Sequence, residues 1–417
     1  MRIVVFEDGL HDNFYPLSLT RPLWELRSGL WSFRERFEHF FSRITEFGED
    51  DIWYFTRDYL APYYRERLLR ARINDYSVFS LKGEILFINA VAYPSSSFLD
   101  MPPNTAYMIG QAPVAARLNA PAGASTQASI SEVVSSIAVS AEEYRPPASS
   151  VYGRVARYIW ELVDWNPDTI KEDIALEGKR GASRHDNTVT ILGDTGQVYI
   201  EGGAVIEPHV LLDARGGPIR IGEAAEVHAG SRIEGPCAIG ARSRVLGARI
   251  RAGTSIGADC RVGGEVEQSI LHGCVNKYHD GFIGHSYIGE WVNLGALTTN
   301  SDLKNDYRNV KVYTPSSRKK TGLMKVGCFI GDFVKTSIGT LINTGTSIGA
   351  GAMLVHAGML TPFHIPPFCW FMNGELARPD WREDFYETCR TMMERRNADL
   401  SGALIELLDA VYEMTAE

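Results

Sequence analysis

What this 417-residue chain lacks narrows its class before any motif is considered. Its six cysteines, at 237, 260, 274, 328, 369 and 389, form no C-x-x-C pair and no even framework, so reduced thiols rather than a disulfide scaffold are expected. No stretch approaches the roughly 18–20 continuous apolar residues of a membrane span. The opening MRIVVFEDG reaches an acid too soon for a signal-peptide core. Basic residues are in deficit: 42 Lys and Arg against 51 Asp and Glu leave a net charge of −9. That speaks against a broad nucleic-acid-binding surface, which needs clustered cations. The expectation is a cytoplasmic, soluble protein that works on small molecules, with no membrane and no nucleic acid among its partners.

The length exceeds one ordinary hydrophobic core, and the chain is written in two styles. Residues 1–185 read as mixed α/β. The short apolar runs Arg2–Phe6, Ile52–Phe55 and Ile85–Ile88 suit buried strands, and Leu30–Phe41 and Tyr59–Ala71 between them have helical spacing. Strands alternating with helices predict a mostly parallel, Rossmann-like sheet. Pro146 and Pro147 break this pattern, and Val151–Val163 with Pro167–Leu176 read as a helical bridge.

From about residue 190 apolar residues recur every sixth position: Ile221, Val227, Ile233, Ile239 and Val245, then Ile250, Ile256 and Val262 after a one-residue slip. The period returns at Ile288 and Leu294, and again at Ile330, Thr336, Ile342, Ile348, Leu354 and Leu360. Glycine often follows, as in IGEAAE, IGARSR and IGADCR. Neither a 3.6-residue helix nor a period-2 strand gives this repeat; a parallel β-helix over 190–370 does, each coil burying its face by stacking on the next. The repeat breaks at Leu271–Phe282 and Thr298–Lys325, where loops thrown from one side are expected to carry function. It ends after Pro366. Within 371–417, Trp381–Arg396 and Leu400–Tyr412 read as closing helices.

The first break holds the histidines of NKYHDGFIGHSYIGEWVNLG, residues 276–295. Three readings compete. His279 and His285 are surface decoration, with His285 suited to structural support; or His272, His279 and His285 ligate zinc; or one of them is a general base. No carboxylate or cysteine partner has convincing spacing for a metal, and the expectation is no metal in this half.

The stretch YHDGFIGHSYIGEWVNLGALTTNSDLKND (278–306) resembles the bifunctional N-acetylglucosamine-1-phosphate uridyltransferase/glucosamine-1-phosphate acetyltransferase family, in a divergent related branch. That resemblance implies a sugar nucleotidyltransferase-like domain over 1–185, a left-handed β-helix acyltransferase over 190–370, acetyl-CoA as cofactor, and a homotrimer in UDP-N-acetylglucosamine-type nucleotide-sugar biosynthesis. It puts His279 on the family's catalytic histidine, and ARIRAG (248–253) puts Arg251 on its phosphate-binding arginine. An amino-sugar phosphate needs a base near neutral pH and a cation for its phosphate, which His279 and Arg251 or Lys277 supply. Asn293, Asn300 and Lys304 are candidates to position sugar and coenzyme. The family's Asn-Tyr pair falls here on Asp302–Leu303, and its second phosphate-pocket base on Ser269.

The N-terminal resemblance rests on FEDGLHDNFYPLSLTRPLWELRSG (6–29), which keeps the strand and the PLSLTRP run. Its loop has one glycine, Gly9, and three acids, Glu7, Asp8 and Asp12, and acids near a triphosphate call for an intervening cation such as Mg²⁺. Arg21 and Arg27 are the candidate nucleotide contacts, with structural salt bridges as the alternative. Asn89, in FINA, stands where the family has its metal-binding aspartate, and an amide binds Mg²⁺ far less well than a carboxylate. Two alternatives remain beside acetyl transfer: a nonenzymatic sugar-nucleotide-binding scaffold and a zinc-dependent hexapeptide enzyme.

Overall fold

The computed structural model describes residues 1–44, 51–81, 83–109, 112–119, 130, 152–178 and 187–416. The expected break at Pro146 and Pro147 lies outside them. Strands β1 (Arg2–Phe6), β2 (Ile52–Tyr54) and β4 (Glu84–Asn89) fall on the three apolar runs, and β3 (Arg72–Ile73) adds an edge. All four are parallel. Strand β1 buries Ile3 and Val5 in one cluster and Val4 and Phe6 in another, as a strand covered on both faces must. The sheet order is β3-β2-β1-β4-β6-β5, where β5 (Thr105–Ile109) and β6 (Ala112–Asn119) are an antiparallel pair that the apolar runs do not announce.

Helix α1 (Phe33–Ile44) lies near its expected place, and α2 (Ala61–Arg67) is shorter than expected, with a proline in its first turn. The bridge is α3 (Ile159–Asp164) and α4 (Asn166–Glu177). Its first helix starts late because Val155 instead bridges Ala92 beside the sheet.

The repeat folds as a parallel β-helix with three faces per coil. Face I runs from Val198–Ile200 through nine strands to His364–Ile365. Face II starts at Val205–Ile206 and face III at Thr190–Leu192. Register stacks like on like: Ile221 on Ile239 on Ile256, and Val227 on Val245 on Val262. At the corner between faces I and II each coil turns through a left-handed residue, among them Ala224, Arg242, Asp259, Cys274, Trp291 and Phe333. The preceding glycine leaves room for the next coil. A Cβ on Gly257 would stand 1.9 Å from the carbonyl oxygen of His272.

Four sequence expectations change here. Leu271–Phe282 is no break: Asn276–Lys277 and Phe282–Gly284 continue the coil, and Lys277 occupies the inward column directly above Val262. A cation in an apolar column hides the period without altering the geometry. Leu360 faces solvent, 54% exposed, because the turn after Met353–Val355 carries one extra residue and Thr361 takes the buried place. The repeat also outlasts Pro366 by one strand, Trp370–Met372. The second expected loop begins only after Thr299–Asn300 and contains the hairpin Lys311–Thr314/Ser317–Lys320.

Helices α5 (Arg382–Glu394) and α6 (Gly402–Met414) close the chain. One apolar cluster joins the N-terminal sheet, the outer side of face I at Tyr287 and Phe329, the loop at Val310 and Val312, and Phe385 and Leu408 of these helices. The prism interior is a separate cluster. The two halves thus share a core, and they are also locked by charge. The guanidinium of Arg21 meets Asp332 at 2.9 Å and Glu290 at 3.1 Å, and Arg67 holds the other oxygen of Glu290 at 2.7 Å. Burial works against ionised Glu290, but Arg67 and Arg21 hold its carboxyl well below the usual range.

Among the described residues, no helix is long and apolar enough to cross a membrane.

Candidate functional site

A concavity of about 890 Å³ lies between face II and α5. Its floor is built by Asn276, Trp291 and Asn293, and His279 stands at its rim with Tyr278. Its outer wall is one face of α5, from Asp384 through Thr388 to Met392, spaced at helical intervals. The floor amides are aligned by coil stacking: Asn276 donates from Nδ2 to Oδ1 of Asn293 at 2.6 Å.

His279 sits at the corner where face II turns into face III, and its side chain is exposed. The turn is fixed from within. Lys277 is 2% exposed, and its ammonium donates to the carbonyl oxygens of Gly263 at 2.8 Å and His279 at 2.9 Å. Burial lowers its pKa from 10.5 to about 8, against a small opposing effect of Asp280. The expected phosphate contact at Lys277 is therefore corrected: this ammonium points into the prism and supports the His279 turn.

His285 is placed differently. It lies buried in a left-handed conformation at the corner between faces III and I, with Nδ1 2.8 Å from Oδ2 of Asp302. Burial tends to raise the pKa of Asp302, but the hydrogen bond and charge of His285 carry it below the usual value. Asp302 thus meets a histidine of its own chain. His272 is buried at the corner between faces I and II, where burial holds its pKa well below the ordinary value. The three histidines occupy three different corners of one coil, so they cannot share one ion, and the zinc alternative loses its ligand set. Among the described residues no group of His, Cys, Asp or Glu is arranged to hold a metal.

The remaining candidates scatter. Arg251 is exposed on face III, between Glu234 at 3.1 Å and Glu265 at 3.3 Å, and Glu234 chiefly raises its pKa. Asn293 lines the groove. Asn300 does not; it is buried and spans Gly284, accepting from its N–H at 2.8 Å and donating to its carbonyl at 3.0 Å, so its amide is committed to the backbone. Lys304 donates to the carbonyl oxygen of Asn309 within the loop.

In the N-terminal half, Arg21 is fully buried in the inter-half ion cluster, which removes it from the candidate nucleotide contacts. Arg27 also faces the junction: its N–H donates to the Tyr287 hydroxyl at 2.7 Å and its guanidinium to the Leu30 carbonyl. Asn89, fully buried at the end of β4, donates to Oδ2 of Asp8 at 2.9 Å and accepts from the Val91 N–H at 3.1 Å. Oδ1 of Asp8 accepts from the Leu10 N–H. An amide that presents its NH₂ to the Asp8 carboxylate does not fit Mg²⁺, which wants several oxygens.

Sequence reasoning missed Arg261, Trp291 and the α5 wall. Arg261 and Trp291 lie within the repeat like any outward residue, and α5 meets them only through folding.

Comparison with known proteins agrees with this two-part layout. Residues 3–180 match the model of the sugar nucleotidyl transferase family. The bifunctional sugar-1-phosphate nucleotidylyltransferase/acetyltransferase of Sulfurisphaera tokodaii is 38% identical over 90 residues, covering 22% of this chain and 22% of that protein. The bifunctional protein GlmU of Bordetella parapertussis is 31% identical over 180 residues, covering 39% of this chain and 36% of that protein. The chain thus spans well under two thirds of the length of the curated relatives it matches. Among solved structures, the Arabidopsis UDP-N-acetylglucosamine acyltransferase aligns over 55% of this chain and 90% of that one, at 11% identity and a TM-score of 0.30. Residues 3–180 are thus similar to sugar nucleotidyl transferases, and over part of its length the chain is similar to bifunctional sugar-phosphate nucleotidyltransferase/acetyltransferases.

Proposed function

We propose that the β-helix half transfers an acetyl group from acetyl-CoA to the amine of an amino-sugar phosphate of the glucosamine-1-phosphate kind, within nucleotide-sugar biosynthesis. The observation that carries this reading is His279: an exposed imidazole at the rim of a groove, on a turn held from inside by Lys277. As the acceptor amine attacks the thioester carbonyl, a ring nitrogen of His279 takes the amine proton. The C–S bond then breaks, and the departing sulfur takes a proton back from the imidazolium. Arg251 is the proposed phosphate contact, because its guanidinium is about half exposed and its ion pairs can exchange for a dianion. Asn293 is placed to meet sugar hydroxyls.

Release of free CoA with a panel of amino-sugar phosphates tests this. Absence of acetylated product for every member would overturn it. The flat prism faces support a homotrimer in the cytoplasm, in which cyclic closure buries one face of each copy. Light scattering that gives a monomer at full activity would contradict the trimer.

For the N-terminal half a second reading is favoured by one contact, the Asn89 amide on Asp8. We infer binding of a sugar nucleotide without turnover, a scaffold role beside the acetyl transfer. Pyrophosphate release from UTP or dTTP with sugar-1-phosphates should then be absent with Mg²⁺ present; brisk release would refute it.

A further inference from the structure

The N-terminal sheet has its topological switch point between β1 and β4: β2 and β3 follow on one side of β1, and β4 lies on the other. Ligands of open α/β sheets sit outside the carboxyl ends of the strands at such a point. Here the chain's own groups stand there. Asp8 and Asn89 span the gap between β1 and β4, and Glu7, the first residue after β1, is buried at 2% exposure. Its carboxylate accepts from the Leu23 N–H at 2.6 Å, the Thr56 hydroxyl at 3.0 Å and the Arg57 N–H at 3.3 Å. The Arg57 guanidinium adds Nε at 3.1 Å and Nη2 at 3.4 Å.

Two backbone N–H groups, a hydroxyl and a two-pronged guanidinium are donors of the kind that proteins aim at phosphate oxygens. A carboxylate offers roughly four lone-pair sites, and the donors converging on Glu7 outnumber them. The cradle is also braced apart from its anion. Arg57 gives Nη1 to the Ser18 carbonyl at 2.6 Å and Nη2 to the Arg21 carbonyl at 2.8 Å, so the PLSLTRP run fixes the fork before leading into the Leu23 N–H. Burial works against the Arg57 cation, yet Glu7 and then Tyr59 carry its pKa above the ordinary value. A phosphate could enter only by displacing Glu7, and it would then meet the charge of Asp8.

We propose that Glu7 is a built-in anion: its carboxylate fills a phosphate cradle at the switch point, so the N-terminal half rejects nucleoside triphosphates and holds a sugar nucleotide through its base and sugar. The second clause rests on the sugar-nucleotide reading and deepens it: specificity comes from a carboxylate of the chain, apart from the metal question at Asn89.

Thermal melts of the full-length protein with and without inorganic pyrophosphate test this in wild type, Glu7→Ala and Glu7→Ala/Arg57→Met. The quantity read is the difference between variants, so anion binding elsewhere on the chain cancels. Glu7→Ala should melt below wild type and regain stability with pyrophosphate, which takes the vacated cradle. Its Tm should rise more than that of wild type or of the double variant. Equal rises in wild type and Glu7→Ala, or no rise in either, would overturn the proposal. Glu7→Gln keeps the size and removes the charge, so the test stays open if Glu7→Ala does not fold. It should melt below wild type, and an unchanged Tm would equally overturn the proposal. Calorimetric titration of wild type with UDP-N-acetylglucosamine and dTDP-glucose separates the two readings. If neither binds while pyrophosphate rescues Glu7→Ala, the Glu7 assignment stands and the sugar-nucleotide reading falls. If one binds while pyrophosphate rescues nothing, the reverse holds.

Discussion

The ammonium of Lys277 lies 2.9 Å from the carbonyl oxygen of His279 and 2.8 Å from that of Gly263, inside a column that also holds Ile206, Val227, Val245 and Val262. A charged group there acts on stability with a definite sign. Its folded pKa is near 8 and its ordinary one 10.5, so between those values the unfolded chain binds more protons and stability rises with pH. Below about 8 the burial penalty is fully present. Wild type should therefore gain stability relative to Lys277→Met between pH 8 and 10, by roughly 1–3 kcal/mol. Denaturant melts of both proteins across that range check this, and parallel curves would contradict it.

Arg21 is expected to be the costliest single side chain at the junction of the halves. Arg21→Met leaves Asp332 buried without its cation, a change that typically costs about 3–5 kcal/mol. Pairing it with Asp332→Leu should recover much of the loss. Thermal unfolding of the single and double variants decides the matter, and additive losses would show that the two groups do not act as a pair.

Asn89→Asp should bring two carboxylates into the 2.9 Å contact now made by an amide and Asp8. Burial already raises the pKa of Asp8, and a second carboxyl raises it further. The variant should melt lower than wild type at neutral pH, and Mg²⁺ should restore it. Wild type should show no Mg²⁺-dependent shift in Tm. A clear shift in wild type would mean that this site holds the ion as it stands.

Much of this was legible in the chain. The six-residue period marks the coil because every inward position must be apolar or small, and Ile221, Ile239 and Ile256 stack as that rule requires. The period failed at Lys277, where a core position is polar, and at Leu360, where a turn carries one extra residue. Arg21 was misplaced for another reason. Its carboxylates lie 269 and 311 residues away in sequence, beyond any local pattern. The histidines were visible from the start, but not their separation onto three corners, and the groove's second wall comes from a helix that the repeat does not predict.

The two histidines left to compare are His279, exposed at the groove, and His285, buried against Asp302. The most direct measurement is the acetyl-transfer kcat of His279→Ala beside His285→Ala, with CoA binding measured on both. His279→Ala should lose about 10²–10⁴-fold in kcat while binding CoA nearly as wild type does, and His285→Ala should lose far less. Near-normal kcat in His279→Ala together with collapse in His285→Ala would contradict the account.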